Sequence, residues 1–153
     1  MDMYLGTKLI RARPALESTP LKPTKEDPLL QREPREGYEV IYADDYISWS
    51  PKDVFEAAYR RIDALTFGLA IEAMKTGHSV ARAGWNGKGM FLYLVGSGRY
   101  PPSTPAGQAI AAEQPDGLVP YLPYIAMKTV QGDVVPWLAS QTDILAEDWS
   151  IVS

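Results

Sequence analysis

The spacing of apolar and polar residues along this 153-residue chain changes several times, and each change marks an element. Over residues 4–13, Leu5, Thr7, Leu9 and Arg11 alternate with Gly6, Lys8, Ile10 and Ala12, which predicts a strand ended by Pro14. Residues 37–42 and 46–49 predict a hairpin that turns at Ala43-Asp44-Asp45. The period then becomes helical. Phe55, Ala58, Tyr59 and Ile62 fall at i, i+3, i+4 and i+7, behind Ser50 as cap, Pro51 at the first helical position and Asp53 in the first turn. Phe67, Ala70, Ile71 and Met74 repeat that spacing between a capping Thr66 and a closing Gly77. Strands follow over 78–82 and 90–95, and the second is so apolar that it belongs at a sheet centre or in an interface. Residues 124–129 and 134–139 predict a pair turning at Gln131-Gly132-Asp133, with Pro136 placing the later strand at an edge or bulge. Ser140-Gln141-Thr142-Asp143 resembles a capped helix start, 143–147 has room for about a turn and a half, and a strand over 149–152 closes the chain.

Two stretches follow neither period. Residues 14–36 carry Pro14, Pro20, Pro23, Pro28 and Pro34 among charged and small residues, which predicts a loop or linker. Residues 96–123 are rich in Gly, Pro, Ala and Ser and predict a long functional or partner-facing loop with a short helical turn at 109–113. The fold class is therefore α+β: a small antiparallel sheet with short helices over 62–153, preceded by a β-hairpin and helix extension over 1–61 with a Pro-rich loop at 14–36.

Composition narrows the chemistry. A net charge of −4 without a basic run disfavours a nucleic-acid polymer as partner, because affinity for a phosphate backbone comes from clustered Lys and Arg. A small anionic ligand needs only one or two cations and stays open. The chain has no Cys and one His, which leaves no thiolate site and makes a His-based zinc site improbable, so neither cofactor nor metal is expected. The start of the chain lacks the pattern of a signal peptide, and no apolar run reaches the ~18 residues of a membrane span. A soluble, cytosolic protein with no membrane partner is the expectation.

Catalytic groupings are sparse. His78 has no Ser and acid beside it in a recognisable triad pattern, and Asp143 and Glu147, four apart, would share a helix face as solvated or capping groups. Recognition chemistry is better represented. Trp85 and Trp137 stand at strand ends amid small polar residues, where a ring stacks on a purine. Arg82 or Lys88 would neutralise a phosphate, and Asn86, Ser140, Thr142 and Asp143 would read hydroxyls or base edges. The plainer alternative packs both tryptophans in the core and makes Ser140 and Asp143 a capping box. Asn86-Gly87 likewise reads either as a two-residue hairpin turn or as a binding loop.

The motifs themselves carry a resemblance. Thr66-Phe67-Gly68-x-Ala70-x-Glu72-Ala73-Met74-Lys75-x-Gly77, Ala81-Arg82-x-Gly84-Trp85-Asn86-Gly87-Lys88-Gly89-Met90, Pro123-Tyr124-Ile125-x-Met127-Lys128 and Pro136-Trp137-x-x-Ser140-Gln141-Thr142-Asp143-x-Leu145-x-Glu147-Asp148-Trp149 occur in order. This set resembles the phage anti-Thoeris sponge family. The resemblance implies a non-enzymatic protein of the host bacterial cytoplasm that sequesters cyclic ADP-ribose-type immune signals. Some members also resemble sponges for the cyclic oligonucleotides of CBASS. It further implies a homo-oligomer, commonly a tetramer, with pockets at subunit interfaces. Carried over residue by residue, the ligand-binding candidates are Arg82, Trp85, Asn86, Tyr124, Lys128, Trp137, Ser140, Thr142 and Asp143. An enzyme that cleaves such a signal, using Asp143, Glu147 or Asp148, and a phage structural or interaction protein are the alternatives.

Overall fold

The computed structural model describes residues 3, 6–17 and 33–153, so most of the proline-rich stretch lies outside the described residues. The chain forms two compact units, Met1–Arg60 and Arg61–Ser153.

In the first unit, β1 (Arg11–Leu16), β2 (Glu36–Ile41) and β3 (Ile47–Pro51) form an antiparallel sheet in the order β1-β2-β3, followed by α1 (Lys52–Ala58). The expected hairpin is therefore the β2–β3 part of a three-stranded sheet, turning with Asp45 at φ 61°. The first strand starts later than the alternation suggests, and Pro14 lies inside it rather than ending it. Proline is tolerated there because Glu17 N–H donates to Arg35 O, which turns the N–H positions of alternate residues inward and that of Pro14 toward the open edge. By the same parity Tyr42 N–H donates to Tyr46 O, and Pro51 of β3 opposes Gly37 with its missing donor outward. Both sheet edges thus lack a donor that another strand would use.

α1 begins one residue later than expected. Pro51 takes the cap position with extended ψ 147°, and Ser50 Oγ donates to Pro51 O instead of capping. Ile62 falls beyond the helix, which ends at Ala58. Tyr38 stacks on Phe55 with centroids 4.2 Å apart, and Phe55 stacks on Tyr59 at 4.8 Å. On the opposite sheet face the Trp49 ring lies against Gly37, where a β-carbon would collide with it and with Ser50 O. Its Nε1–H donates to Ala15 O, and Arg35 sits over the ring while pairing with Glu17.

The second unit is built on α2 (Phe67–Lys75) and a five-stranded antiparallel sheet. Its strands are β4 (Val80–Arg82), β5 (Phe91–Val95), β8 (Tyr124–Lys128), β9 (Val134–Pro136) and β10 (Trp149–Ile151), in the order β10-β4-β5-β8-β9. The apolar β5 is central, as its composition predicts, and the strand bearing Pro136 is an edge. Thr66 Oγ1 accepts from Leu69 N–H at the start of α2, and Gly77 closes it at φ 95°. Ala70 and Met74 of α2 meet Val80, Leu92, Trp149 and Leu65 in one core. Trp149 is fully buried, and its 150–250 Å² of ring surface is worth roughly 4–6 kcal/mol of apolar transfer.

Residues 96–123 are not the long loop that their composition suggests. They form β6 (Gly98–Tyr100), α3 (Pro105–Ala112) and β7 (Val119–Tyr121), with β6 and β7 paired. Thr104 caps α3 through Gly107 N–H, and Pro105 occupies the first turn. Arg99 grips Asp116 through Nε and Nη2 at 2.5 and 2.6 Å, while Ala111 and Val119 are buried. The final helix, α4 (Gln141–Ile144), starts at the expected Ser140 cap but ends earlier than expected, so Asp143 and Glu147 do not share a helix face.

Candidate functional site

Strand alternation sorts the candidate residues into two groups. Val80 opposes Leu92, and Arg82 opposes Trp149, so Arg82 lies on the same sheet face as the core. Lys128 opposes Phe91 and Tyr124 opposes Val95, one residue out of phase with Leu92. Tyr124 and Lys128 therefore belong to the other face.

On the core face, Trp149 is the hub. Phe67, Trp85 and Trp137 surround it with centroids 5.3, 5.4 and 6.0 Å away. Trp85 and Trp137 also meet edge-on at 6.3 Å, and both rings are half-buried. Such edge-to-face pairs favour a fixed cluster over mobile rings. The Trp149 Nε1–H donates to Asp143 O at 3.0 Å, tying the cluster to α4.

Asp143 joins Arg82, Trp85 and Ser140 directly, and Thr142 through Ser140. Its Oδ1 accepts from Arg82 Nη1 at 2.8 Å and from Trp85 Nε1 at 3.4 Å. Its Oδ2 accepts from Ser140 N–H and from Ser140 Oγ, which also lies 2.8 Å from Thr142 Oγ1. Asp143 N–H donates to Ser140 Oγ, so the capping box is present. Burial pushes the Asp143 carboxyl up, yet the hydrogen bonds from Ser140, Arg82 and Trp85 outweigh it and hold the group at about 2. Arg82 also donates to Asp148, through Nε at 2.8 Å and Nη2 at 3.5 Å. That pairing lowers the Asp148 carboxyl despite its partial burial.

The connection from β4 to β5 spans 83–90, too long for a two-residue hairpin at Asn86-Gly87. Its start is pinned by Gly84 N–H donating to Asp148 Oδ2 at 2.8 Å, and a β-carbon at Gly84 would sit 3.0 Å from that oxygen. Asn86 and Lys88 are exposed on this loop. Lys128 Nζ donates to Gly89 O at 3.2 Å, anchoring the far end.

Arg82, Trp85, Trp137, Ser140, Thr142 and Asp143 thus form one connected group, with Asn86 on the adjoining loop. Lys128 instead lines a surface cavity of about 410 Å³ with His78, Ser79, Phe91, Tyr93 and Val134. Tyr124 is exposed beyond it on β8. Asp148 and Trp149 are the residues that inspection of motifs undervalued. Both stood in the Glu147-Asp148-Trp149 motif, but only the β4–β10 pairing shows that they close the site. His78 Nδ1 lies 3.2 Å from Ser153 O, remote from this group. Among the described residues no cluster of three or more His, Asp or Glu side chains is placed to hold a metal ion, and no helix is long and apolar enough to cross a membrane.

This constellation falls inside a segment with known relatives. A family model described as a Thoeris anti-defense 2-like domain matches residues 65–152. The chain is 40% identical over 95 residues to Thoeris anti-defense 2 of Bacillus phage SP01, an alignment that takes in 58% of this chain and 96% of the phage protein.

Proposed function

Because the chain belongs to the Thoeris anti-defense 2-like family, we propose that it is a phage anti-defence protein that binds and sequesters a cyclic ADP-ribose-type immune signal in the host cytoplasm without degrading it. Cyclic oligonucleotides of the CBASS type are a second ligand class of the same reading. Its ligand-binding set is Arg82, Trp85, Asn86, Tyr124, Lys128, Trp137, Ser140, Thr142 and Asp143. The observation that carries the proposal is the coincidence of the matched segment with the Trp85–Trp137–Asp143 cluster.

The chemistry supports capture over turnover. A carboxyl held at about 2 is a weak base at neutral pH, and Asp143 and Asp148 are both occupied by Arg82. Half-buried indoles and neutral hydrogen-bonding tips suit a nucleotide that is held and released intact.

Homo-oligomerisation, to a tetramer, belongs to this reading. Tyr124 and Lys128 lie on the face opposite Arg82, so a pocket that used both groups would need a second copy. Exposed apolar side chains at Tyr121, Leu122, Tyr124 and Val134 offer surface for that association.

The test is capture and release. Purified protein is incubated with cyclic ADP-ribose isomers and cyclic di- and trinucleotides, freed of unbound ligand, denatured, and the released species identified by mass. Intact cyclic nucleotide supports the proposal. A cleaved product would make the protein an enzyme, and no retained ligand would favour a structural or interaction role.

A further inference from the structure

Arg82 has donors on every side of its guanidinium committed to protein carboxylates: Nε and Nη2 to Asp148, Nη1 to Asp143. We infer that Arg82, counted above in the ligand-binding set, serves that set as a positioning residue rather than as a phosphate ligand, bridging Asp143 and Asp148 so that the 83–90 loop is held in place and Lys88 is left as that loop's cation without an ion pair among the described residues. The inference rests on the signal-binding function proposed for this site and specifies how its charges are divided.

Three observations carry it. The Arg82 side chain is only 18% exposed and Asp143 only 14%, so the pair lies beneath the surface that a ligand would meet. One guanidinium facing two carboxylates leaves the cluster with a net negative charge, which repels a phosphate. Each carboxylate passes the constraint onward. Asp148 Oδ2 accepts from Gly84 N–H where the loop begins, and Asp143 Oδ1 accepts from the Trp85 indole. The planar fork of arginine spans both carboxylates at once, which the point charge of lysine cannot do. Lys88, by contrast, is exposed and makes no ion pair among the described residues.

The two roles predict opposite signs for one substitution. If Arg82 positions the loop, Asp148→Asn weakens binding about tenfold, because one anchor of the loop is loosened. If Arg82 contacts phosphate, Asp148→Asn frees it from a competing carboxylate and tightens binding. The experiment titrates the full chain and its Asp148→Asn, Arg82→Lys, Arg82→Gln and Lys88→Gln variants with the cyclic ADP-ribose isomer that the unaltered protein retains. Arg82→Lys is expected to lose as much affinity as Arg82→Gln. Lys88→Gln is expected to lose a few-fold and to flatten the dependence of affinity on salt. Tighter binding by Asp148→Asn, or rescue by Arg82→Lys, would overturn the inference.

A ligand-free readout separates this from failure of the binding function itself. Hydrogen exchange at the Trp85 indole, followed by NMR, is expected to quicken at least tenfold in Asp148→Asn and Arg82→Lys, while the Trp149 indole stays protected. Unchanged exchange at Trp85 would contradict the positioning role whether or not any nucleotide binds. If the unaltered protein retains no cyclic nucleotide, the binding function falls and the indole exchange alone decides what Arg82 does.

Discussion

The two units use similar antiparallel sheets but are held by different physics. In the second unit one fully buried indole, Trp149, gathers α2, β4 and the 83–90 loop, with Leu65, Ala70, Met74, Val80 and Leu92 packed around it. Among the described residues of the first unit, Val40 is the buried apolar side chain, and the rest is a Tyr38–Phe55–Tyr59 stack, a tryptophan laid over Gly37 and ion pairs at the surface. Surface pairs contribute little in water, so the first unit depends on ring stacking and close backbone approach. The difference teaches where a rigid site is affordable. Preorganised recognition needs side chains locked by packing, and among the described residues the Trp149 cluster supplies that.

Substitutions can break this contrast in order of size. Trp149→Ala should cost about 3–5 kcal/mol and uncouple Trp85 and Trp137 from each other, measured by denaturant unfolding and near-ultraviolet dichroism. Acid should act next. The Asp143 carboxyl is depressed to about 2, so its contribution is complete above the ordinary range near 4 and is lost as pH falls through 2. On the order of 2 kcal/mol of second-unit stability should disappear over that window, and Asp143→Asn should remove that share of the dependence, leaving the part carried by the also-depressed Asp148 and Asp116. Val40→Ala should cost about 1.5–2 kcal/mol and be felt in the first unit, read by residue-resolved hydrogen exchange. Thr66→Ala, which removes the cap of α2, should cost about 1 kcal/mol in the second unit.

How much of this was legible in the sequence follows the same divide between local and distant causes. The stripe of Phe67, Ala70, Ile71 and Met74 and the apolar run of β5 announce a helix and a central strand because their signals are periodic and local. Pro14 misled because sequence shows that a donor is missing but not which way it would have pointed. Residues 96–123 looked like a loop because what orders them, the Arg99–Asp116 pair and the burial of Ala111 and Val119, is distant along the chain. At the site, the plainer alternative left open by composition is what the fold displays: Ser140 and Asp143 form a capping box, and Trp85 and Trp137 pack against the core, while the same Asp143 also holds Arg82 and Trp85. The second carboxylate of Arg82 lies 66 positions away, beyond any motif window. Strand register, equally invisible in a motif, puts Tyr124 and Lys128 on the other face.

The central claim is that ligand recognition resides in the Trp149-organised unit. Hydrogen exchange of the full chain, with and without the retained cyclic ADP-ribose isomer, tests it most directly. The account predicts added protection at residues 82–88 and 137–143 and none over 36–58. Protection confined to 36–58, or absent from the tryptophan cluster while ligand is bound, would contradict it.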